Sequence, residues 1–144
     1  MKAFISQFWN GELAHIKIGN EYYKKNDALT TLTRDISKTP VSQGQYLGQQ
    51  RKGLFYPSSY LLQFLAKKTT KKLIVTDKAA WLFVCGKDIR RRSVIEQYTP
   101  DDGDYVLILN TKKETLGYAR ITVKNKAIVR ITRLFDIGDY LRRE

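Results

Sequence analysis

Short extended and helical patterns alternate along the first 66 residues. Apolar and polar positions alternate over residues 14–23 on both sides of the turn pair Gly19-Asn20, which predicts a β-hairpin. A helix is predicted over residues 28–36, where apolar side chains fall at spacings of three and four. Glycines punctuate residues 44–50 and Gly53 follows, and we interpret Gly44-x-x-x-Gly48 as a loop between elements.

A second helix is predicted over residues 58–66, after a short strand at residues 54–56. The sequence Pro57-Ser58-Ser59 is typical of a helix start, because serine accepts hydrogen bonds from the free N–H groups of the first turn. The expected buried stripe of this helix consists of Tyr60, Leu61, Phe64 and Leu65.

Beyond a charged junction at residues 67–72 the pattern changes to short strands. Residues 77–80 predict a single helical turn, and Trp81 and Phe83 on the following strand are expected in the core. Strands at such regular spacing indicate a small closed or nearly closed β structure. The predicted strands cover residues 73–75, 81–84, 94–98, 105–109, 115–123 and 127–134, with a hairpin tip at 124–126.

The charge balance indicates a polyanionic partner. The chain has 26 Lys and Arg against 14 Asp and Glu, a formal net charge of +12. Residues 67–144 carry +8 of this excess, and such a charge attracts nucleic acid or an anionic membrane. The alternative is a solubility charge on a thermophilic surface, where lysine is plentiful.

Several classes of protein do not fit the sequence. No run approaches eighteen consecutive apolar residues, so we expect no membrane span, and the polar N-terminus does not resemble a signal peptide. Cys85 is the one cysteine, which excludes an internal disulfide and a cysteine-based zinc site. We therefore expect a cytoplasmic protein without membrane partners.

The order of small motifs in the second half resembles the PUA domain, an RNA-binding module named after pseudouridine synthases and archaeosine transglycosylases. The pattern consists of small residues, an apolar run, Gly-x-Asp-apolar, Gly-Asp-x-Val and Leu-Gly-x-small. A glycine that usually follows the third motif is replaced here by arginines, which suit phosphate geometry. The matching residues are Ala79-Ala80, Gly86-Lys87-Asp88-Ile89, Gly103-Asp104-Tyr105-Val106 and Leu116-Gly117-Tyr118-Ala119.

A narrower resemblance links the whole chain to the NIP-seven family of large ribosomal subunit assembly factors. Residues 136–144, DIGDYLRRE, resemble the C-terminal signature of that family. Tyr22-Tyr23, the predicted helices, Gly44 and Gly48 occur in the family's order. The late start of the chain relative to eukaryotic members favours an archaeal source.

Together, the patterns and the resemblance predict an α+β fold in two domains. A small N-terminal domain of mixed helix and strand covers residues 1–66, and a PUA domain with a small, mixed, β-barrel-like fold covers residues 67–144. The resemblance implies a non-catalytic, RNA-binding ribosome biogenesis factor that acts on precursor rRNA and docks assembly proteins through its N-terminal domain, and we expect a monomer. The alternative is an accessory RNA-targeting module or subunit of an RNA-modifying enzyme.

The predicted hairpin at residues 115–134 supplies the first candidate RNA-binding site. Strand alternation puts Ala119, Ile121 and Val123 on one face, and we expect Val129 and Ile131 to share a face on the returning strand. The cations then lie on the opposite surface, with no acidic residue between positions 115 and 135; a solvated strand face is the alternative. The candidate hairpin residues are Arg120, Lys124, Lys126, Arg130 and Arg133.

The loop after Gly86 supplies a second candidate site, with Lys87, Arg90, Arg91 and Arg92 within six positions. An exposed loop that is merely charged is the alternative. We expect the hairpin to matter more, because strand pairing fixes its side chains. Tyr118 is the candidate for base stacking, against the alternative of a core tyrosine.

No catalytic constellation is present in the sequence. His15 is the one histidine and has no carboxylate or cysteine near it in sequence, and Cys85 is expected to be buried and inert. Asp101, Asp102 and Asp104 form a turn more readily than a metal site. We therefore predict that the protein is not an enzyme and needs no cofactor or metal.

Overall fold

The computed structural model describes residues 1–25 and 45–139. The helix predicted at residues 28–36, Gly44 and the end of the C-terminal signature lie outside the described residues. The described elements are α1 (Lys2–Ser6), β1 (His15–Ile18), β2 (Glu21–Lys24), β3 (Tyr46–Arg51), β4 (Leu54–Pro57), α2 (Ser59–Ala66), β5 (Lys72–Val75), α3 (Asp77–Val84), a 3₁₀ turn (Arg91–Ser93), β6 (Val94–Glu96), β7 (Tyr105–Leu109), β8 (Thr115–Lys124) and β9 (Ala127–Asp136).

The first four strands form one antiparallel sheet in the order β1-β2-β3-β4. The hairpin predicted at its start is confirmed, with Ile18 opposite Glu21 across the turn. The prediction of a loop at residues 44–48 is wrong from Tyr46 onwards, where β3 begins and Leu47 is fully buried. Gly48 is part of the reason, because a Cβ there would lie 2.5 Å from the Tyr56 carbonyl oxygen on β4. A glycine that admits a neighbouring strand gives the same sequence signal as a loop glycine.

Helix α2 begins where the sequence predicts. The hydroxyl of Ser58 accepts a hydrogen bond from the Leu61 backbone N–H at 3.1 Å, which caps the first turn. Leu61, Leu62 and Leu65 are fully buried, so the buried stripe is rotated slightly from the predicted one towards Leu62.

The later strands form a five-stranded, curled half-barrel in the order β6-β5-β7-β8-β9. Strands β5 and β7 are parallel, and the other neighbours are antiparallel. The predicted α+β class is therefore confirmed, with strands and helices in both parts of the chain.

The strand predicted at residues 81–84 is wrong, because residues 77–84 form the single helix α3. Thr76 caps this helix by accepting a hydrogen bond from the Ala79 N–H at 3.2 Å. Phe83 is buried as predicted, but Trp81 is 66% exposed, and Cys85 is exposed as well. A short apolar run does not distinguish helix from strand, and helical geometry turns Trp81 away from the face that holds Phe83.

The five-stranded sheet is covered on one face and, around β7, on the other face as well. Val106, Ile108, Ala119 and Ile121 pack in one cluster with α3. The opposite face packs against the N-terminal elements, so that α1 and α2 lie over the sheet at the level of Leu107 and Leu109. That second cluster contains Ile5, Phe8, Leu47, Leu61, Leu62, Leu65, Ala66, Leu107, Leu109 and Phe135.

Candidate nucleic-acid interface

The β8–β9 hairpin has the predicted register. Lys124 pairs with Ala127 across the tip, where Asn125 and Lys126 have φ values of +52° and +63°. Two consecutive left-handed residues are typical of a tight turn whose twist matches that of the strands. The predicted outward cations of the hairpin, Arg120, Lys124, Lys126 and Arg130, are all exposed.

The returning strand departs from simple alternation. The register shifts between Thr122 and Val123, which leaves Val129 unpaired in a β-bulge. Ile128 and Ile131 are buried, whereas Val129 is 46% exposed, so the prediction that Val129 shares a face with Ile131 is wrong. The bulge restores the outward position of Arg130, which pairs with Thr122.

The basic loop lies along the outer edge of β9. Ile89 forms an isolated antiparallel bridge with Ile131, and both side chains are buried. Arg90 follows Ile89 and Arg130 precedes Ile131, so in this antiparallel bridge the two arginines lie side by side with the opposite, exposed orientation. The two basic clusters, which are 28 residues or more apart along the chain, thus form one surface. We call it the basic ridge: Lys87, Arg90, Arg91, Arg92, Arg120, Lys124, Lys126 and Arg130.

The ridge cations are not neutralised within residues 1–25 and 45–139. The ion pairs of these residues are Lys71–Asp104 at 3.6 Å and Arg133–Asp136 at 3.0 Å, and neither includes a ridge residue. Like charges on adjacent strands repel each other, so a bound polyanion would relieve a cost that the fold carries.

Arg133 has a structural position. Its Nε donates a hydrogen bond to the Gly86 carbonyl at 3.2 Å, and a terminal nitrogen pairs with the fully buried carboxylate of Asp136. Its backbone N–H also donates to Asp88 Oδ1 at 2.8 Å. Arg133 therefore fastens the basic loop to β9, and its role in RNA binding stays a prediction.

Tyr118 lies in an aromatic cluster between the two parts of the chain. Its ring centroid is 5.0 Å from that of Phe4 and 6.1 Å from that of Phe135. Burial raises the pKa of Tyr118 to about 12. The position favours the core alternative over an open stacking platform.

A cleft of about 350 Å³ separates α3 from the basic loop. Lys78 and Leu82 line its helical side, and Arg90 and Arg92 line its loop side. Sequence reasoning missed Lys78 and the exposed Trp81, which lie on the same helix. Thr76 is a typical helix cap, and a helix that begins after it would put Lys78 and Trp81 on its exposed side.

An acidic loop also touches the hairpin, although the hairpin sequence contains no acidic residue. Asp102 Oδ1 accepts a hydrogen bond from the Val123 N–H at 2.8 Å. Asp104 accepts one from the Tyr98 hydroxyl at 2.6 Å, and burial together with this bond raises the pKa of Tyr98. Asp102 and Asp104 thus hold the turn in place against β8 and Tyr98.

The described part of the chain was compared with the requirements of a metal site and of a membrane-spanning helix. No group of three His, Cys, Asp or Glu side chains there is arranged to hold a metal ion. Among the helices of residues 1–25 and 45–139, none has the length and apolar character to cross a membrane.

Comparison with known proteins identifies one family and several solved structures with a similar fold. The family model of the UPF0113 PUA domain matches residues 71–144. A conserved PUA domain protein from Thermoplasma acidophilum has a TM-score of 0.60 at 14% identity, covering 98% of this chain and 89% of that chain. A PUA domain from Aeropyrum pernix, solved as a tartrate complex, has a TM-score of 0.58 at 14% identity, covering 97% and 83%. A hypothetical protein from Pyrococcus horikoshii has a TM-score of 0.55 at 12% identity, covering 93% and 79%. No curated protein matches the sequence.

Proposed function

The chain belongs to the UPF0113 PUA domain family, and we propose that it binds single-stranded or looped RNA along the basic ridge. A PUA domain is an RNA-binding module, which supports RNA as the polyanion. The observation that carries the proposal is the Ile89–Ile131 bridge, because it joins loop and hairpin cations into one surface.

The ridge binds the phosphate backbone. Arginine presents a planar set of donors that matches phosphate oxygens, and five of the eight ridge residues are arginines: Arg90, Arg91, Arg92, Arg120 and Arg130. The cleft between α3 and the loop adds Lys78 beside the ridge. Phosphate contacts of this kind position an RNA strand without selecting its sequence.

A salt titration of RNA binding tests this proposal. About four phosphate contacts on a single strand give a slope of roughly −3 in a plot of log affinity against log salt. The full chain is titrated with a fluorescent single-stranded RNA at several salt concentrations. A slope near zero, or no binding at low salt, would contradict the proposal.

At a finer level, the chain acts as a non-catalytic, cytoplasmic, monomeric factor in large ribosomal subunit assembly and precursor rRNA processing. The resemblance of its motifs and C-terminal signature to the NIP-seven family supports this role, with the N-terminal part docking assembly proteins. The second candidate is an accessory RNA-targeting subunit of an RNA-modifying enzyme. Co-purification separates them, because the first role predicts precursor ribosomal particles and the second a single catalytic partner.

A further inference from the structure

A second, shallower cleft of about 440 Å³ opens on the outward face of the β8–β9 hairpin. Its lining combines a carboxylate, a guanidinium and an apolar side chain. We call it the hairpin cleft, and it is lined by Asp102, Gly103, Arg120, Ile121, Thr122, Thr132 and Leu134.

Strand register builds one wall of the hairpin cleft. Arg120 pairs with Thr132, so both side chains lie on the outward face together with Thr122 two residues further along β8. A register shift after Tyr118 leaves Leu134 unpaired and 43% exposed. The cleft therefore has an apolar patch next to two hydroxyl groups.

The loop before β7 builds the other wall. The Gly103 N–H donates to the Ile121 carbonyl at 2.9 Å, and the Ile121 N–H donates to the Asp104 carbonyl at 3.0 Å, so the loop continues the strand ladder. Asp102 is fixed there by its bond to the Val123 N–H. Only Oδ1 of Asp102 is used in the hydrogen bonds of the described part of the chain, and Oδ2 stays available.

The Arg120 guanidinium is held in a defined orientation. It lies over the Tyr105 ring at 5.8 Å from the centroid, and its Nε donates to the Gly103 carbonyl at 3.3 Å. Gly103 has a φ of +81°, and a Cβ there would lie 3.3 Å from a terminal nitrogen of Arg120. Within residues 1–25 and 45–139, the two terminal nitrogens of Arg120 donate no hydrogen bond.

A carboxylate beside a guanidinium is a poor phosphate site and a good base site. Asp102 repels a phosphate, but it accepts hydrogen bonds from base N–H groups, while Arg120 donates to a base carbonyl. Guanine alone among the four RNA bases presents two adjacent donors, N1–H and the N2 amino group, beside the acceptor O6. Leu134 supplies an apolar contact for the base.

We propose that the hairpin cleft binds an unpaired guanine base, with Asp102 accepting from N1–H and N2 and Arg120 donating to O6. This inference rests on the proposed RNA binding, because Lys124 and Arg130 on the same face hold the flanking phosphates. The ridge thus has sequence preference at one position and none along the remainder.

The test compares RNA nonamers of uridine whose central nucleotide is uridine, guanosine, inosine, adenosine or cytidine. Their affinities for the full chain are measured by fluorescence anisotropy. Guanosine should bind about 5- to 100-fold more tightly than uridine at that position, as for a good bidentate base contact. Inosine lacks the N2 amino group and should lose most of this preference.

The informative variant is Asp102→Asn. Its amide oxygen still accepts the Val123 N–H, so the loop stays in place, but the anionic acceptor is lost. Guanosine and inosine should then bind equally. Asp101→Asn is the matched control, because it removes the same charge from the same loop outside the cleft.

The outcomes separate the guanine site in the hairpin cleft from RNA binding along the basic ridge. Binding of all nonamers with equal affinity would overturn the guanine site and leave RNA binding intact. An Asp102→Asn variant that keeps the preference, or an Asp101→Asn variant that also loses it, would overturn the guanine site too. Absence of binding to every nonamer at low salt would overturn both. Thermal unfolding of each variant verifies that the fold is retained.

Discussion

Ile89 of the basic loop pairs with Ile131 of β9, and both side chains are buried beneath the arginines that follow and precede them. This bridge makes Arg90 and Arg130 neighbours. A loop that is fastened in this way holds its cations at fixed positions, as a strand does. The expectation that the hairpin cations outweigh the loop cations therefore loses its physical basis, and we expect both to contribute.

The first prediction concerns the two halves of the ridge. Changing Arg120, Lys124 and Arg130 together to Ala, or Arg90, Arg91 and Arg92 together to Ala, should flatten the salt slope by about 1.4 units, if each set supplies two of the four phosphate contacts. Each variant should weaken binding by several kcal/mol at most. Salt titration of RNA binding measures both quantities.

A matched control for this prediction removes three cations elsewhere. Lys2, Lys17 and Lys112 are exposed and lie outside the ridge, and their joint replacement by Ala should leave the slope nearly unchanged. An equal loss in the control would show that net charge, and not the ridge, determines binding.

The second prediction concerns Trp81, which is 66% exposed on the helix that carries Lys78. An exposed indole one helical turn from Lys78 suits stacking on an unpaired base, so Trp81→Ala should weaken binding of single-stranded RNA by about 1–3 kcal/mol. In a Trp9→Phe background, Trp81 is the remaining tryptophan, and its fluorescence should be quenched by RNA. Unchanged fluorescence at saturating RNA would disprove the stacking role.

The third prediction concerns the pair of Arg133 and Asp136. Because Asp136 is fully buried, Arg133→Ala removes a cation from a buried carboxylate and should lower the free energy of unfolding by about 3–5 kcal/mol. Arg133→Lys keeps the charge but loses the bond to Gly86, and a smaller loss is expected. Urea unfolding measures both variants, and equal stability of Arg133→Ala and the unmodified chain would contradict the structural role.

The fourth prediction concerns alkaline pH. Burial raises the pKa of Tyr118 to about 12, above the usual value of 10.0, so the folded state retains a proton that the unfolded state releases. The stabilising effect of the neutral ring is complete below pH 10 and is lost as the pH rises towards 12. Tyr118→Phe should make stability less sensitive to pH in this window. The difference in tyrosinate absorbance between the unmodified chain and Tyr118→Phe isolates this ring among the nine tyrosines, and a difference that develops near pH 10 would refute the burial.

The sequence predicts local features well. The Asn125-Lys126 tip and the alternation through Ala119, Arg120 and Ile121 give the correct hairpin register, because turn chemistry and a period of two act over a few residues. Such signals do not reveal a bulge, since the extra residue at Val129 is determined by the partner strand. They also failed at Trp81, where a short apolar run fits helix and strand equally.

The composition of the candidate site could not be derived from the sequence. The contact between Ile89 and Ile131, and that between Asp102 and Val123, join residues that are 42 and 21 positions apart. No local propensity connects such segments. The sequence therefore indicates which cations are candidates, but only the tertiary fold puts them side by side or places a carboxylate among them.

The two-sided burial of β7 limits how far this protein can be dissected. Leu107 and Leu109 face the N-terminal elements, while Val106 and Ile108 face α3. In a fragment that begins at residue 71, Leu107, Leu109 and Phe135 would be exposed to solvent, and this apolar surface would favour aggregation. Residues 71–144 are consequently not an independent domain that can be fused to another protein unless that protein buries the same face.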